Sequence, residues 1–158
     1  MAVIPGPYVG GTQAKLYYNS ATHATPTWAE VTRAIDVSAN IGQTAVDVSS
    51  RASKYKANLP GLIDVSFNFG YRVPGGTDTV LDLLLTMMAG ATQTIKEFAI
   101  IDQAIATSGA QGPRLYAMIE SADLSQALEE GAVIEFTLKP AYFEVSAAKV
   151  DPDWYEVP

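Results

Sequence analysis

Between Ile63 and Arg72 the chain alternates without a break. Ile63, Val65, Phe67, Phe69 and Tyr71 are apolar or aromatic, while Asp64, Ser66, Asn68, Gly70 and Arg72 between them are small, polar or charged. Successive side chains of a strand point to opposite faces, so this period of two demands a strand with one dry face and one wet face. Most strands run about 5–6 residues, and this one is longer. Whatever fold the chain adopts must cover the dry face and leave the wet one to water.

The residues before this strand are of a different kind. Arg51, Lys54 and Lys56 fall within a polar stretch that holds no acid, in a chain whose net charge is -7. The charge is unevenly spread: Met1–Ile119 holds eight acids and eight bases, and Glu120–Pro158 holds nine acids and two bases. A uniformly basic nucleic-acid footprint is absent, and an acidic surface repels duplex DNA. The acids after Phe143 read as a solvated tail.

Further strands are predicted at Ala14–Asn19, Val31–Ser38, Thr44–Ser50, Ile95–Asp102, Arg114–Leu124 and Ala132–Phe143. In Thr44–Ser50, Val46 and Val48 are expected inward and Asp47 and Ser49 outward. Pro74, Gly75 and Gly76 end the central strand, and Thr77 or Asp78 can cap a helix. Val80, Leu81, Leu84, Leu85 and Met88 then recur at three- and four-residue spacings, which makes an apolar stripe, and Gly90 is a stop. Strands, one helix, then strands describe a β-rich α+β domain, a sandwich or barrel with one flanking α-helix. Its parts are an extended N-terminal arm (1–13), a β domain (14–143) with the helix at about 78–90 and a polar loop at about 50–60, and an acidic C-terminal tail (144–158).

Chemistry finds little purchase. The chain has no cysteine, which excludes a disulfide framework, a thiol nucleophile and a cysteine-ligated metal. His23 is the single histidine and reads as structural or solvent-exposed, since general-base use needs a placed partner. Asp151 with Asp153, and Glu129 with Glu130, lack the spacing of a metal site. "VPGGTDTV" lacks the Lys of a phosphate-cradling loop and the third Gly of a dinucleotide fingerprint. No catalytic residue, metal or cofactor is expected. The longest apolar run, Val80–Ala91, is shorter than the roughly 20 residues of a membrane helix, and no targeting segment is apparent, so a soluble protein is expected.

The residues "AKLYYN…ATPTWAEVTRAIDVSANIG", "DVSSRASKYKANLPGLIDVSFNFGYR", the helix "DTVLDLLLTMMAG" and "GAVIEFTLKPAY" together resemble the tail tube (major tail) proteins of long-tailed bacteriophages. The resemblance covers about Ala14 to Phe143 and is one of order, spacing and character. Tube proteins of contractile tails and type VI secretion share the fold. It implies a structural subunit whose strands join those of its neighbours into a ring-shaped β-barrel. Six subunits make a ring, and rings stack into a hollow conduit for genome ejection. The implied partners are further copies of itself, a tape-measure protein, and tail terminator and baseplate proteins. DNA passes through the lumen without specific binding, no membrane is involved, and the location is the virion tail after assembly in the host cytoplasm.

On that resemblance the wet faces line the lumen, with Asp47, Ser49, Asp64, Ser66, Asn68, Glu120, Glu135, Thr137 and Lys139 as the facing set. The alternative for these residues is an ordinary solvated sheet face. The polar loop reaches the next ring through Arg51, Lys54, Tyr55, Lys56 and Asn58, and meets Glu129, Glu130, Asp151, Asp153 and Glu156. The rival reading is a sandwich that recognises a glycan or a host surface through Tyr17, Tyr18, Trp28, Trp154 and Tyr155; these aromatics otherwise pack at subunit contacts.

Overall fold

A computed structural model describes residues 14–52, 54–92, 94–126 and 131–158. The arm and the acids Glu129 and Glu130 lie outside the described residues. Ten strands and one helix follow in chain order: β1 (Lys15–Asn19), β2 (Trp28–Glu30), β3 (Ala34–Asp47), β4 (Asn58–Arg72), α1 (Thr79–Ala89), β5 (Lys96–Ile101), β6 (Gln111–Ser125), β7 (Val133–Pro140), β8 (Glu144–Val145), β9 (Ala148–Lys149) and β10 (Asp153–Glu156). Eight of the strands form one antiparallel sheet in the order β2-β1-β5-β6-β7-β4-β3, with β10 added beside β6. The architecture is thus β-rich with a single helix among the described residues, and the sheet does not close into a barrel within the chain.

The central alternation holds from Val65 onward. Val65, Phe67, Phe69 and Tyr71 are buried, and Phe69 stacks on Phe136 of β7 with ring centroids 5.4 Å apart. They join Leu16, Phe98, Leu115, Ile119 and Leu138 in the main core. Ile63 departs from the expectation and is 63% exposed. The reason is topological: β7 pairs β4 only over Phe67–Arg72, so from Asn58 to Ser66 β4 pairs with β3 alone. That distal half projects as a two-stranded ribbon, which also explains how Pro60, with no amide hydrogen to donate, sits inside a strand.

Two expected strands, 31–38 and 44–50, are one. β3 runs through Ser38–Gln43, where small and polar residues gave no apolar signal. The polar loop is the end of the β3–β4 hairpin and spans 48–57, with Asn58, Leu59 and Pro60 already in β4. The ladder slips between the pairs Gln43↔Ile63 and Ala45↔Pro60, where β4 carries one extra residue. This bulge falls at Gly61, where a Cβ would meet Thr44 Oγ1 at 2.3 Å. Extra residues of this kind change the phase of a strand. Beyond it, Val46 pairs with Leu59 on the face of Asn40 and Ser66, and Asp47 shares the face of Ile41 and Val65. The inward placement expected for Val46 and Val48 is therefore not found: they are 52% and 45% exposed.

Helix α1 begins at Asp78, whose carboxylate accepts from Val80 N (2.9 Å) and Leu81 N (3.1 Å). It buries Leu84 and Met87, with Val80, Leu81 and Leu83 packed alongside. Leu85 and Met88, expected in the buried stripe, are 42% and 49% exposed. The bond from Leu81 N, with those from the Tyr71 hydroxyl and Val80 N and the charge of Arg33, holds the Asp78 carboxyl below its ordinary 3.8. A depressed carboxyl stabilises the fold above its unfolded value, and that stabilisation is lost as pH falls through the folded value. An Asp78→Asn chain, which keeps a capping oxygen, is expected to melt below wild type near pH 7, with the gap closing at acid pH. Thermal melts across pH check this, and a gap independent of pH would contradict it.

The C-terminal segment is not a free tail. Glu144–Val145 and Ala148–Lys149 form a small hairpin turning through Ser146 and Ala147, both at positive φ (53° and 62°). β10 then pairs Asp153–Glu156 with Gln111–Arg114 of β6.

Candidate functional site

Four long strands, in the order β3-β4-β7-β6, share one polar face. Directly paired residues project to the same side of a sheet, so the ladders define its membership. β4 contributes Asp64, Ser66, Asn68, Gly70 and Arg72; β7 contributes Glu135, Thr137 and Lys139. β6 contributes Ser121, Asp123 and Ser125, and β3 contributes Ser38, Asn40, Gly42 and Val46. Six of the expected lumen residues are thus brought together, Asp64, Ser66, Asn68, Glu135, Thr137 and Lys139, and Glu120, at a bulge of β6, is close enough for its charge to act on Lys139.

Contacts across this face are those of a wet surface. Lys139 Nζ meets the Asp64 carboxylate at 2.9 Å, and Thr137 Oγ1 donates to Asn68 Oδ1 at 3.0 Å. The bond to Asp64, followed by the charges of Asp64 and Glu120, raises the Lys139 pKa above its ordinary 10.5. A Cβ at Gly70 would lie 2.9 Å from both Glu135 Oε1 and Ile35 Cγ1, so a larger residue there would push those two side chains aside. Asp64, Glu120, Asp123 and Glu135 against Lys139 and Arg72 leave the face negative.

Asp47 and Ser49 stand apart from this face and close the hairpin end instead. Ser49 N donates to Asp47 Oδ1 and Ala57 N to Ser49 Oγ, both at 2.9 Å. Hydrogen bonds from Ser49 hold the Asp47 carboxyl below its ordinary value, with a lesser contribution from Lys56. Lys56, expected to meet an acid of another subunit, lies 3.5 Å from Asp47 of its own chain. Arg51, Lys54, Tyr55 and Asn58 are exposed at the hairpin end. Among the acids expected opposite them, Asp151 pairs with Lys149, and Glu156 is exposed beside Gln111. Asp153 takes both Arg114 Nε (2.6 Å) and Nη2 (2.9 Å).

That last pair belongs to a polar cluster that sequence reasoning did not find. Glu97 is 2% exposed. It accepts from Asn19 Nδ2 (2.7 Å) and faces His23 Nδ1 (2.7 Å) and Arg114 Nη1 (3.7 Å). A buried carboxylate needs such partners to offset its lost hydration. The cluster ties β1, β5 and β6 to β10 and gives His23 a structural place.

Two open edges flank the polar face. Among the described residues β3 pairs with β4 alone, and β6 beyond Ala117 pairs only with β7. Unpaired edges of this length are templates for another strand.

No protein-family model matches the sequence, and no curated protein does. Solved structures do match. A chain of the SPP1 tail tube is 16% identical with a TM-score of 0.68, over 94% of this chain and 80% of that one. The chain shares the fold of a tail-tube subunit. A chain of the PVC sheath–tube complex, an extracellular contractile injection system in its extended state, is 12% identical at a TM-score of 0.65, covering 96% of this chain and 94% of that one. A chain of the native gene transfer agent virion is 14% identical at 0.62, covering 84% and 93%. The likeness is one of fold.

Proposed function

We propose that the chain is a structural subunit of a tail tube, assembling into rings of six that stack into a conduit for DNA. The observation that carries the reading is the shared fold, which spans 94% of the chain and includes the SPP1 tail tube. The strand order supports it. β3 and β6 run in opposite directions at the two edges of the four-stranded polar face. A head-to-tail neighbour that sets its β3 beside this β6 continues the antiparallel sheet without a break, and a rotation that closes gives a ring. The polar face becomes the inner wall of a ring-shaped β-barrel. Its excess of acids repels phosphate and keeps DNA moving, since basic contacts are what hold nucleic acid. A tape-measure protein, a terminator and a baseplate are the partners such a conduit requires. The likeness to the PVC sheath–tube chain favours, as a second version of the same role, a tube within a contractile sheath.

The glycan-binding reading loses its platform. Tyr17 is buried, and Trp28 packs edge-on against Tyr155 at 5.4 Å. Of the five aromatics named for it, Trp154 alone is exposed.

The absence of native cysteine makes the edge pairing easy to test. Double variants that combine Asn40→Cys, Gly42→Cys or Thr44→Cys with Ser121→Cys, Asp123→Cys or Ser125→Cys are oxidised and run on non-reducing gels. At least one combination is expected to give a ladder ending at the ring, with rings visible by negative stain. Monomers throughout, at high concentration and with the fold intact, would sink the proposal.

A further inference from the structure

We infer that the distal half of the β3–β4 ribbon is a hinged strap that closes onto β10 of its own chain, pairing the free edge of β4 with the free edge of β10. The device lies within one subunit and needs no neighbour.

β7 and β10 lie end to end along one edge of β6. Arg114 pairs with Ala99 of β5 and with Asp153 of β10, and Ala117 pairs with Lys96 of β5 and with Pro140 of β7. Both β7 and β10 are therefore on the edge of β6 opposite β5. The outer edge of β7 is taken by β4 over Phe67–Arg72. Among the described residues the outer edge of β10 has no strand beside it, and from Asn58 to Ser66 β4 presents an edge equally open. The two strands run antiparallel, as pairing requires. Counting down from Phe67↔Leu138 on one side, and from Ala117↔Pro140 to Arg114↔Asp153 on the other, sets Asp153 level with Leu62 and Pro152 level with Ile63.

A groove of about 550 Å³ separates the two edges, lined by Leu62, Ile63 and Val65 of β4 and by Pro152, Asp153 and Trp154. Trp154 pairs with Pro113, so its indole projects to the side of Leu115, which is also the side of Val65 and Ile63. Ile63 is 63% and Trp154 61% exposed. Closing the groove takes both from water and covers two rows of unpaired backbone groups that would otherwise be templates for a stray strand.

The same residues explain why the strap also stands open. Pro60 and Pro152 have no amide hydrogen to give to the new ladder, so the gain from zipping is incomplete. Lys139 of β7 holds Asp64, and beyond that point the strap's one ladder is the pairing of β3 with β4. A two-stranded ribbon twists readily and is marginal by itself. The hinge is thus at Asp64, where β7 ends.

The test places two cysteines in this cysteine-free chain. Ile63→Cys with Pro152→Cys sets both thiols on the groove side at one level. Asp64→Cys with Pro152→Cys, one residue along, sets one of them on the polar face. Under mild oxidation of dilute protein, the first pair is expected to form its intrachain disulfide at least about tenfold faster than the second, because only there does closure align the thiols. Adding Trp154→Ala is expected to remove most of that preference and Trp154→Phe to keep it, with exchange of the Tyr155 and Glu156 amides checking that β10 stays in place. In the oxidised Ile63→Cys/Pro152→Cys chain, amides between Asn58 and Leu62 are expected to exchange more slowly than in the reduced one. Equal rates for the two pairs, a preference untouched by Trp154→Ala, a disulfide between chains instead of within one, or exchange unchanged by oxidation would each overturn the inference.

Discussion

A Gly112→Ala chain is expected to lose about 3 kcal/mol of stability, a large share of the total of about 5–15 kcal/mol that holds a domain folded. The added Cβ would sit 1.7 Å from the Ile100 carbonyl oxygen. That oxygen belongs to backbone, so no side-chain rotation relieves the clash. Gly112 stands where β6 takes β10 as a neighbour, opposite Tyr155, with β5 pressed against it. The local frame is closed: Asp102 N donates to Gln111 O at 3.0 Å, and Gln111 N donates to Asp102 Oδ1 at 2.9 Å. Denaturant titration checks the loss, and a change below about 1 kcal/mol would show that the strands can part there.

Glu97→Ala is the second large effect. Removing one member of a buried charged cluster leaves the others desolvated and unpaired, and such losses run to about 3–5 kcal/mol. Asn19 would lose the acceptor for one amide hydrogen, and Arg114 would retain Asp153 but lose the carboxylate behind it. Because Arg114 is what holds Asp153, the damage is expected to spread to β10. Amides of Trp154–Glu156 should exchange faster than in wild type, and a Glu97→Gln chain, which keeps the shape and one acceptor, should recover part of the stability. Hydrogen exchange combined with denaturant titration separates the two effects. Unchanged protection in β10 would mean the cluster supports β1 and β5 only.

The parts of the fold that were legible in the sequence are those where burial is one-sided and the side chains are large. Val65, Phe67, Phe69 and Tyr71 announce a strand because nothing else gives aromatics at alternate positions. The helix announced itself but not its orientation. Leu81, Leu83, Leu84 and Leu85 allow more than one apolar stripe, and only packing selects Leu84 with Met87. The sequence shows β3 as two strands because Ser38, Asn40, Gly42 and Gln43 carry no hydrophobic signal; the strand exists there through its ladder to β4. "DPDWYEVP" reads as proline-broken and acidic and gives no sign of β10, which is held by its ladder to β6 and by contacts to Arg114 and Trp28, far away in sequence. The one sequence hint of the Glu97 cluster is an acid inside the otherwise apolar run "EFAII". His23, 74 residues earlier, gives no sign of being its partner.

Most of the polar face was read correctly from β4 and β7, which alternate regularly. Ser121 and Asp123 were not, and the bulge in β6 explains why. Ile119 pairs with Leu138 and Ser121 with Thr137, so Glu120 is an extra residue that no partner matches. Before it the residues of β6 in the main core, Leu115, Ala117 and Ile119, are odd-numbered; after it Ala122 and Leu124 take the side of Phe136 and Ile134. The strand therefore has a phase, and Glu120 resets it. No substitution among Ser121–Ser125 can exchange their wet and dry sets, because which side each residue faces is decided by counting along the chain and not by chemistry.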